Sequence, residues 1–290
     1  LPAIREARKI PISPKGRTLE SDGTMPRFSA NLSFLFGEVP FLDRFGEAAR
    51  AGFTAVEFAF AYEYPPRELA ARLQEHSLSL VLINAPPGDM AAGDRGLAAQ
   101  PGREHEFAAS LATALNYAHA LSCPRVHVMA GVVPGGADPA QREQQRSTFV
   151  RNLRFAAREA EERGVELTIE PINTRDMPGY LLNTQAEAHA IREEVGADNL
   201  KVQMDLYHAQ VVEGDLSEKL KRWLPHIGHI QIAGVPGRHE PDVGEINYAH
   251  VFALLDELRY PGWVGCEYRP LAGTAAGLRW MKTLAPRRAS

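Results

Sequence analysis

Four polar residues each close an apolar run: Glu170 in LTIE, Asp205 in VQMD, Gln231 in HIQIA and Glu267 in GCEY. They are spaced 35, 26 and 36 residues apart, and each step is the length of one strand-plus-helix unit. In a barrel of such units consecutive strands are neighbours, and the C-terminal strand ends form the reactive face. The four side chains then converge on one side of the mouth. Three carboxylates facing a low-dielectric interior repel one another and resist ionisation. A divalent cation resolves that conflict, and oxygen ligands favour Mg²⁺ or Mn²⁺ over zinc. The plainer reading is four unrelated strand-end groups, each solvated or ion-paired; their recurrence in adjacent units argues against it.

Further candidates surround this set. His208 follows Asp205 by three residues in MDLYH, on the loop leaving the sixth strand; taken alone it reads as a structural histidine, and beside a carboxylate ligand as a donor to a substrate oxygen. His229 shares the face of Gln231, two residues on, and is equally well a packed histidine. His127, in RVHVMAG, faces either the mouth or the core. The segment GVPGRHEPDVGEIN, 234–247, is a long loop whose Arg238 and His239 offer positive groups to a substrate carboxylate; the alternative is an exposed surface loop. The loop APPGDMAAGDRGLAAQPGREHE, 85–106, reads as a lid or binding loop, with Arg95 and Arg103 either functional or surface charges.

The elements that must position these residues alternate from Phe28 onward. Strands are expected at 28–33, 55–60, 78–84, 125–130, 165–170, 200–205, 227–232 and 263–268. Helices are expected near 38–51, 66–76, 103–121, 140–163, 184–195, 216–222, 247–258 and 274–284. Strands alternating with helices pair in parallel, and eight units predict an α/β fold, a single (β/α)8 barrel. An open doubly wound sheet would usually carry a glycine-rich turn after its first strand, which SFLFGEVP is not. Gly52, Gly164 and Gly196 follow helices where left-handed caps are expected.

Composition sets limits. The chain has 290 residues, 44% hydrophobic and 23% charged, with a net charge of −4. That excludes a global basic field for nucleic acid or anionic lipid, so the expected partner is a small sugar acid, with neither nucleic acid nor membrane; a homo-oligomer is left open. Cys123 and Cys266 form no CxxC pair, which suits a reducing, cytoplasmic setting. No apolar run reaches membrane-span length. Residues 1–24 lack periodicity and an apolar h-region; they read as a vector-derived or poorly ordered leader, with a mitochondrial presequence the minor alternative. Met25 looks like a natural start, and 25–290 reads as one barrel domain.

The stretches NLSFLFGEVPFLDRF, VLINAPPGDMAAGDRG, VHVMAG, IEPINTRDMPGY, NLKVQMDLYHAQ, EGDL, GHIQIAGVPGRHEPDVGEINY and GWVGCEYRP run in order from 31 to 270. Together they resemble the hydroxypyruvate isomerase family of the xylose-isomerase-like barrels. The resemblance implies a divalent metal held by Glu170, Asp205, Gln231 and Glu267, with Gln231 standing where many relatives of the wider superfamily carry His. It implies Glu170 and Glu267 as the acid/base pair, His208 and Arg238 as substrate contacts, and interconversion of hydroxypyruvate and tartronate semialdehyde through an enediolate. Isomerisation of 2-oxo-tetronate, or epimerisation of a ketose, would use the same groups. An endonuclease of the same barrel type needs several histidines for a multi-zinc cluster and a basic face, and this chain supplies carboxylates and net acidity. A non-catalytic sugar-acid binder has no need of two glutamates around a metal.

Overall fold

The computed structural model describes residues 26–133, 135 and 138–284. The leader assigned to 1–24, the start at Met25 and the final residues 285–290 lie outside them. Eight parallel strands close into a barrel in sequence order: β1 (Arg27–Asn31), β2 (Ala55–Phe58), β3 (Ser79–Asn84), β4 (Arg125–His127), β5 (Glu166–Ile169), β6 (Leu200–Asp205), β7 (Ile227–Ile232) and β8 (Trp263–Cys266). Closure is made by β8 against β1, with Ser29 opposite Gly265 and Ala30 opposite Cys266. Among the described residues the helices are α1 (Arg44–Arg50), α2 (Pro66–Glu75), α3 (Glu104–Ala120), α4 (Pro139–Glu161), α5 (Gln185–Val195), α6 (Leu206–Val212), α7 (Leu216–Trp223), α8 (Tyr248–Glu257), α9 (Thr274–Gly277) and α10 (Trp280–Thr283).

Local chemistry explains the punctuation. Asp138 and Gln141 form a capping box at the start of α4, and Thr184 and Glu187 form another at α5; each satisfies backbone donors that a helix start leaves orphaned. Gly52, Gly164 and Gly196 all take positive φ, at 93°, 66° and 72°, as their positions after helices require.

Two expectations are corrected. The sixth unit carries an additional helix. The Asp205 side chain accepts from the Tyr207 backbone N–H at 2.8 Å, so α6 begins directly at the strand end and His208 lies on a helix rather than a loop. The last helix, expected unbroken over 274–284, is split into α9 and α10. Gly277, a poor helix former, ends the first piece where a side chain would collide with Glu240. Several strands also end earlier than expected, so Glu170 and Glu267 each sit one residue beyond a strand.

The seam between first and last strands is held by an aromatic cluster: Phe28 of β1 packs edge-on against Phe252 of α8 at 5.2 Å and Trp280 of α10 at 5.1 Å. Phe252 and Trp280 are fully buried. Phe252→Ala is expected to cost about 3–5 kcal/mol of stability, read as a lowered urea midpoint at unchanged slope. No helix among the described residues is long and apolar enough to cross a membrane.

Candidate active site

The strands deliver their closing residues to one end of the barrel. Glu170 follows β5, Asp205 ends β6, Gln231 is the penultimate residue of β7, and Glu267 follows β8. Donor atoms of Glu170, Asp205 and His208 lie within 4.8 Å of one another, and all three residues are buried. Arg238 joins Glu267 to this group: its Nη2 donates to Asp205 Oδ2 at 3.2 Å and to Glu267 Oε1 at 2.7 Å. The guanidinium is clamped between the rings of Phe34 and Tyr207, 4.8 and 5.1 Å from their centroids. Asp176 lies 3.8 Å from Nη1.

His208 has a defined tautomer. Asn173 Oδ1 accepts from the Asp176 N–H at 2.8 Å, so its amide nitrogen faces His208 Nδ1 at 2.6 Å. Nδ1 is therefore the acceptor, and Nε2 carries the proton. That N–H points toward Asp205 Oδ2 at 3.5 Å. A protonated Nε2 has no lone pair for a cation, which suits His208 to donating toward an oxygen rather than ligating a metal.

Electrostatics follow from burial. Glu170 is pushed well above the usual carboxyl range by desolvation, reinforced by Glu267 and Asp205. Burial pushes Glu267 up to about 8 against the pull of Arg238. Asp205 is raised by burial despite Arg238 and the backbone donors of Tyr207 and His208. Burial also lowers His208 well below its usual value and takes His127 down to about 3, so both rings are neutral at neutral pH. His127 faces the site: its Nδ1 is 3.6 Å from Glu170 Oε2, and neither ring nitrogen has a hydrogen-bond partner. Three crowded acids share one guanidinium, so the donor set fits a hard divalent cation held by oxygen.

One layer deeper lie residues that the sequence reading did not single out. Glu57 of β2 is fully buried. Its Oε2 accepts from Ser29 Oγ and His229 Nε2, both at 2.8 Å, and its Oε1 from Gln231 Nε2 at 2.8 Å and Asn31 Nδ2 at 3.2 Å. Burial alone would raise this carboxyl; the His229, Gln231 and Ser29 partners hold it below its usual value. Gln231 Oε1 in turn accepts from Gln203 Nε2 at 2.8 Å. Gln231 thus belongs to the network that underlies the carboxylates. A signal for Glu57 was present: an acid inside the apolar run AVEFAF. Gln203 shares the inward face of Asp205, two residues away.

The remaining candidates lie elsewhere. His239 Nδ1 meets the Arg269 carbonyl at 2.8 Å. Arg103 pairs with Asp94 and Glu106, each at 2.7 Å, and Arg95 donates to the carbonyls of Met90 and Asp94. The Arg95 and Arg103 contacts hold their own loop together, and His239 ties the loop after β7 to the segment after β8.

The raised acids have a measurable consequence. Between the unfolded carboxyl range, about 4, and the raised folded values, the folded state binds more protons than the unfolded chain. Stability of metal-free protein therefore falls as pH rises through that window. Glu57 acts oppositely: its contribution is present above the unfolded value and lost as pH falls below it. Melting with a chelator is expected to show the midpoint dropping from mildly acidic to mildly alkaline pH, and added Mg²⁺ should lessen the drop. A midpoint that rises over that range would contradict this electrostatic picture.

The model of the xylose isomerase-like TIM barrel family matches residues 45–284. A 2-oxo-tetronate isomerase of Cupriavidus necator is 59% identical over 258 residues, 89% of this chain and 98% of that protein. The hydroxypyruvate isomerase of Escherichia coli is 48% identical over 257 residues, again covering 89% and 98%. A crystal structure from Brucella melitensis, described as an AP endonuclease of family 2, superposes with TM-score 0.86 at 48% identity, covering 89% of this chain and 99% of that one. The curated relatives are named isomerases, and this chain is an enzyme of that class. It belongs to the xylose isomerase-like TIM barrel family, in the group that includes hydroxypyruvate and 2-oxo-tetronate isomerases.

Proposed function

We propose that the enzyme moves a carbonyl between adjacent carbons of a short hydroxy-keto acid, interconverting hydroxypyruvate and tartronate semialdehyde. The observation that carries this reading is the buried Arg238 guanidinium, fixed between two rings and reaching both Asp205 and Glu267. A cation held beside two acids suits a substrate that is itself an anion. It would bind the substrate carboxylate and leave the neighbouring carbons between Glu170 and Glu267.

In this scheme one glutamate removes a proton from carbon 3, leaving an enediolate. The other returns a proton to carbon 2, and the hydroxyl proton passes from the oxygen on carbon 3 to that on carbon 2. Carboxyls with raised proton affinity suit this work, because a general acid or base is most effective near the working pH. The neutral His208 would donate its Nε2–H to a substrate oxygen. Glu170, Asp205, Gln231 and Glu267 would hold a divalent ion, Mg²⁺ or Mn²⁺, whose charge stabilises negative charge developing on adjacent oxygens.

A second substrate, 2-oxo-tetronate, is favoured by the 59% identity to the Cupriavidus isomerase. Purified protein with Mg²⁺ or Mn²⁺ should be assayed on hydroxypyruvate, 2-oxo-tetronate and a neutral ketose. Turnover of an acid with none of the ketose supports the reading. Turnover confined to the ketose would overturn the role given to Arg238, and cleavage of abasic duplex DNA would favour an endonuclease instead.

A further inference from the structure

Glu57 takes no part in the proton transfers above, yet it is the most completely partnered side chain beneath them. Four donors converge on it, two to each oxygen. Gly265 of β8 faces it so closely that a Cβ there would collide with both carboxylate oxygens. The barrel interior is thus shaped around this group.

The network has a direction. A carboxylate only accepts, whereas an amide has one donating and one accepting end. Glu57 therefore requires the NH₂ end of Gln231 and turns its oxygen away, to where the Gln203 amide donates. Gln203 is fixed in the same sense, because its oxygen accepts from Thr168 Oγ1 at 3.2 Å; it stands on β6, the strand paired with β5, which Glu170 follows. On the other arm, Asn31 Oδ1 accepts from the Ser33 N–H at 3.0 Å. Its NH₂ end is thereby committed to Glu57, and Asn31 stands on β1, the strand paired with β8, which Glu267 follows. Reversing Gln231 would set acceptor against acceptor at Glu57 and donor against donor at Gln203, a buried mismatch on both sides.

We infer that Glu57 is a positioning residue for the reaction: through Gln231 and Gln203 on one side and Asn31 on the other, it fixes the amides on the strands beside Glu170 and Glu267 and presents the Gln231 oxygen. This rests on the proposed function for the roles of the two glutamates. The donor–acceptor logic is independent of it.

The logic separates two substitutions. Glu57→Gln can keep an oxygen toward Asn31 and Gln231, because its NH₂ would then face the Ser29 hydroxyl and the His229 imidazole. Both can become acceptors, by rotation and by change of tautomer. Glu57→Leu removes the acceptor altogether. Glu57→Leu is expected to bind Mn²⁺ about 10- to 100-fold more weakly by calorimetry and to lose kcat by a similar factor, the range for removing a group that orients ligands. KM should change little, and Glu57→Gln should restore both affinity and kcat to near the wild-type level. Wild-type Mn²⁺ affinity and kcat in Glu57→Leu would overturn the inference, as would a Glu57→Gln variant as impaired as Glu57→Leu.

Should Glu57→Leu not fold, Gln203→Met breaks the same arm at neutral charge. It should lower kcat about tenfold, and an unchanged kcat would overturn the inference. A readout free of metal and turnover is the NMR of the side-chain NH₂ groups of Asn31 and Gln231. They should exchange slowly with solvent in wild type and in Glu57→Gln; rapid exchange in wild type would sink the inference. If wild type isomerises none of the acids, the proposed function fails, while the amide exchange and the Mn²⁺ affinities still decide whether Glu57 holds this network in place.

Discussion

Glu170→Gln and Glu267→Gln are each expected to leave the barrel folded and to lower kcat by roughly 10²- to 10⁴-fold, the usual worth of a positioned general acid or base. Gln keeps the shape and an oxygen but cannot carry a proton between carbons. Both carboxyls are raised by burial, so neutralising either relieves repulsion, and the metal-free variants should melt no lower than wild type. The combination of lost turnover with retained or raised stability is the signature to look for. Circular dichroism, thermal melting and a coupled assay on the same preparations provide it. A variant that keeps wild-type kcat removes that residue from the acid/base scheme.

Arg238→Met is the second large effect. The guanidinium bridges Asp205 and Glu267 and lies near Asp176. Removing it leaves buried acids without their cation, a loss of about 3–5 kcal/mol. At the level of catalysis, kcat/KM for an acid substrate is expected to fall roughly 10²- to 10³-fold. Arg238→Lys should recover only part of this, since a single ammonium lacks the second nitrogen that lies near Asp176 and the planar group that packs over the Phe34 and Tyr207 rings. Added Mg²⁺ should recover thermal stability in Arg238→Met by supplying positive charge, but not affinity for the substrate carboxylate. If instead kcat/KM is unchanged, Arg238 neutralises the site and does not read the substrate.

Much of the fold was legible because each strand is a short apolar run bounded by a helix-period stretch, and glycines sit where helices must stop. The eight-stranded barrel follows from that alternation. The additional helix after β6 was hidden because its start signal is Asp205 itself. That residue had already been read as a strand-end acid, and a single side chain serves both purposes. The break between α9 and α10 falls at Gly277, which lies against Glu240 across the chain, a tertiary contact that periodicity does not carry.

The site divides in a similar way. Glu170, Asp205 and Glu267 stood out because polar residues at the ends of barrel strands face the mouth. By residue type alone Arg238 was one of several charges in a long loop, and it was the family resemblance that singled it out as a substrate contact. The physical difference from its neighbours is visible only in three dimensions, which turn His239 toward Arg269 and tie Arg103 to Asp94 and Glu106. Glu57 was the informative omission. An acid inside an apolar strand is costly unless it is paired, and its partners Ser29, Asn31, His229 and Gln231 are spread over β1 and β7. Only barrel closure brings β1, β2 and β7 around one buried carboxylate.

The most direct test of the central claim is proton NMR of hydroxypyruvate incubated in D₂O with the enzyme and Mg²⁺. The account predicts enzyme-dependent conversion to tartronate semialdehyde with deuterium entering at carbon 2, because the returning proton is drawn from an acid that exchanges with solvent. Product that keeps protium at carbon 2, as a direct hydride shift would give, would contradict proton transfer through Glu170 and Glu267.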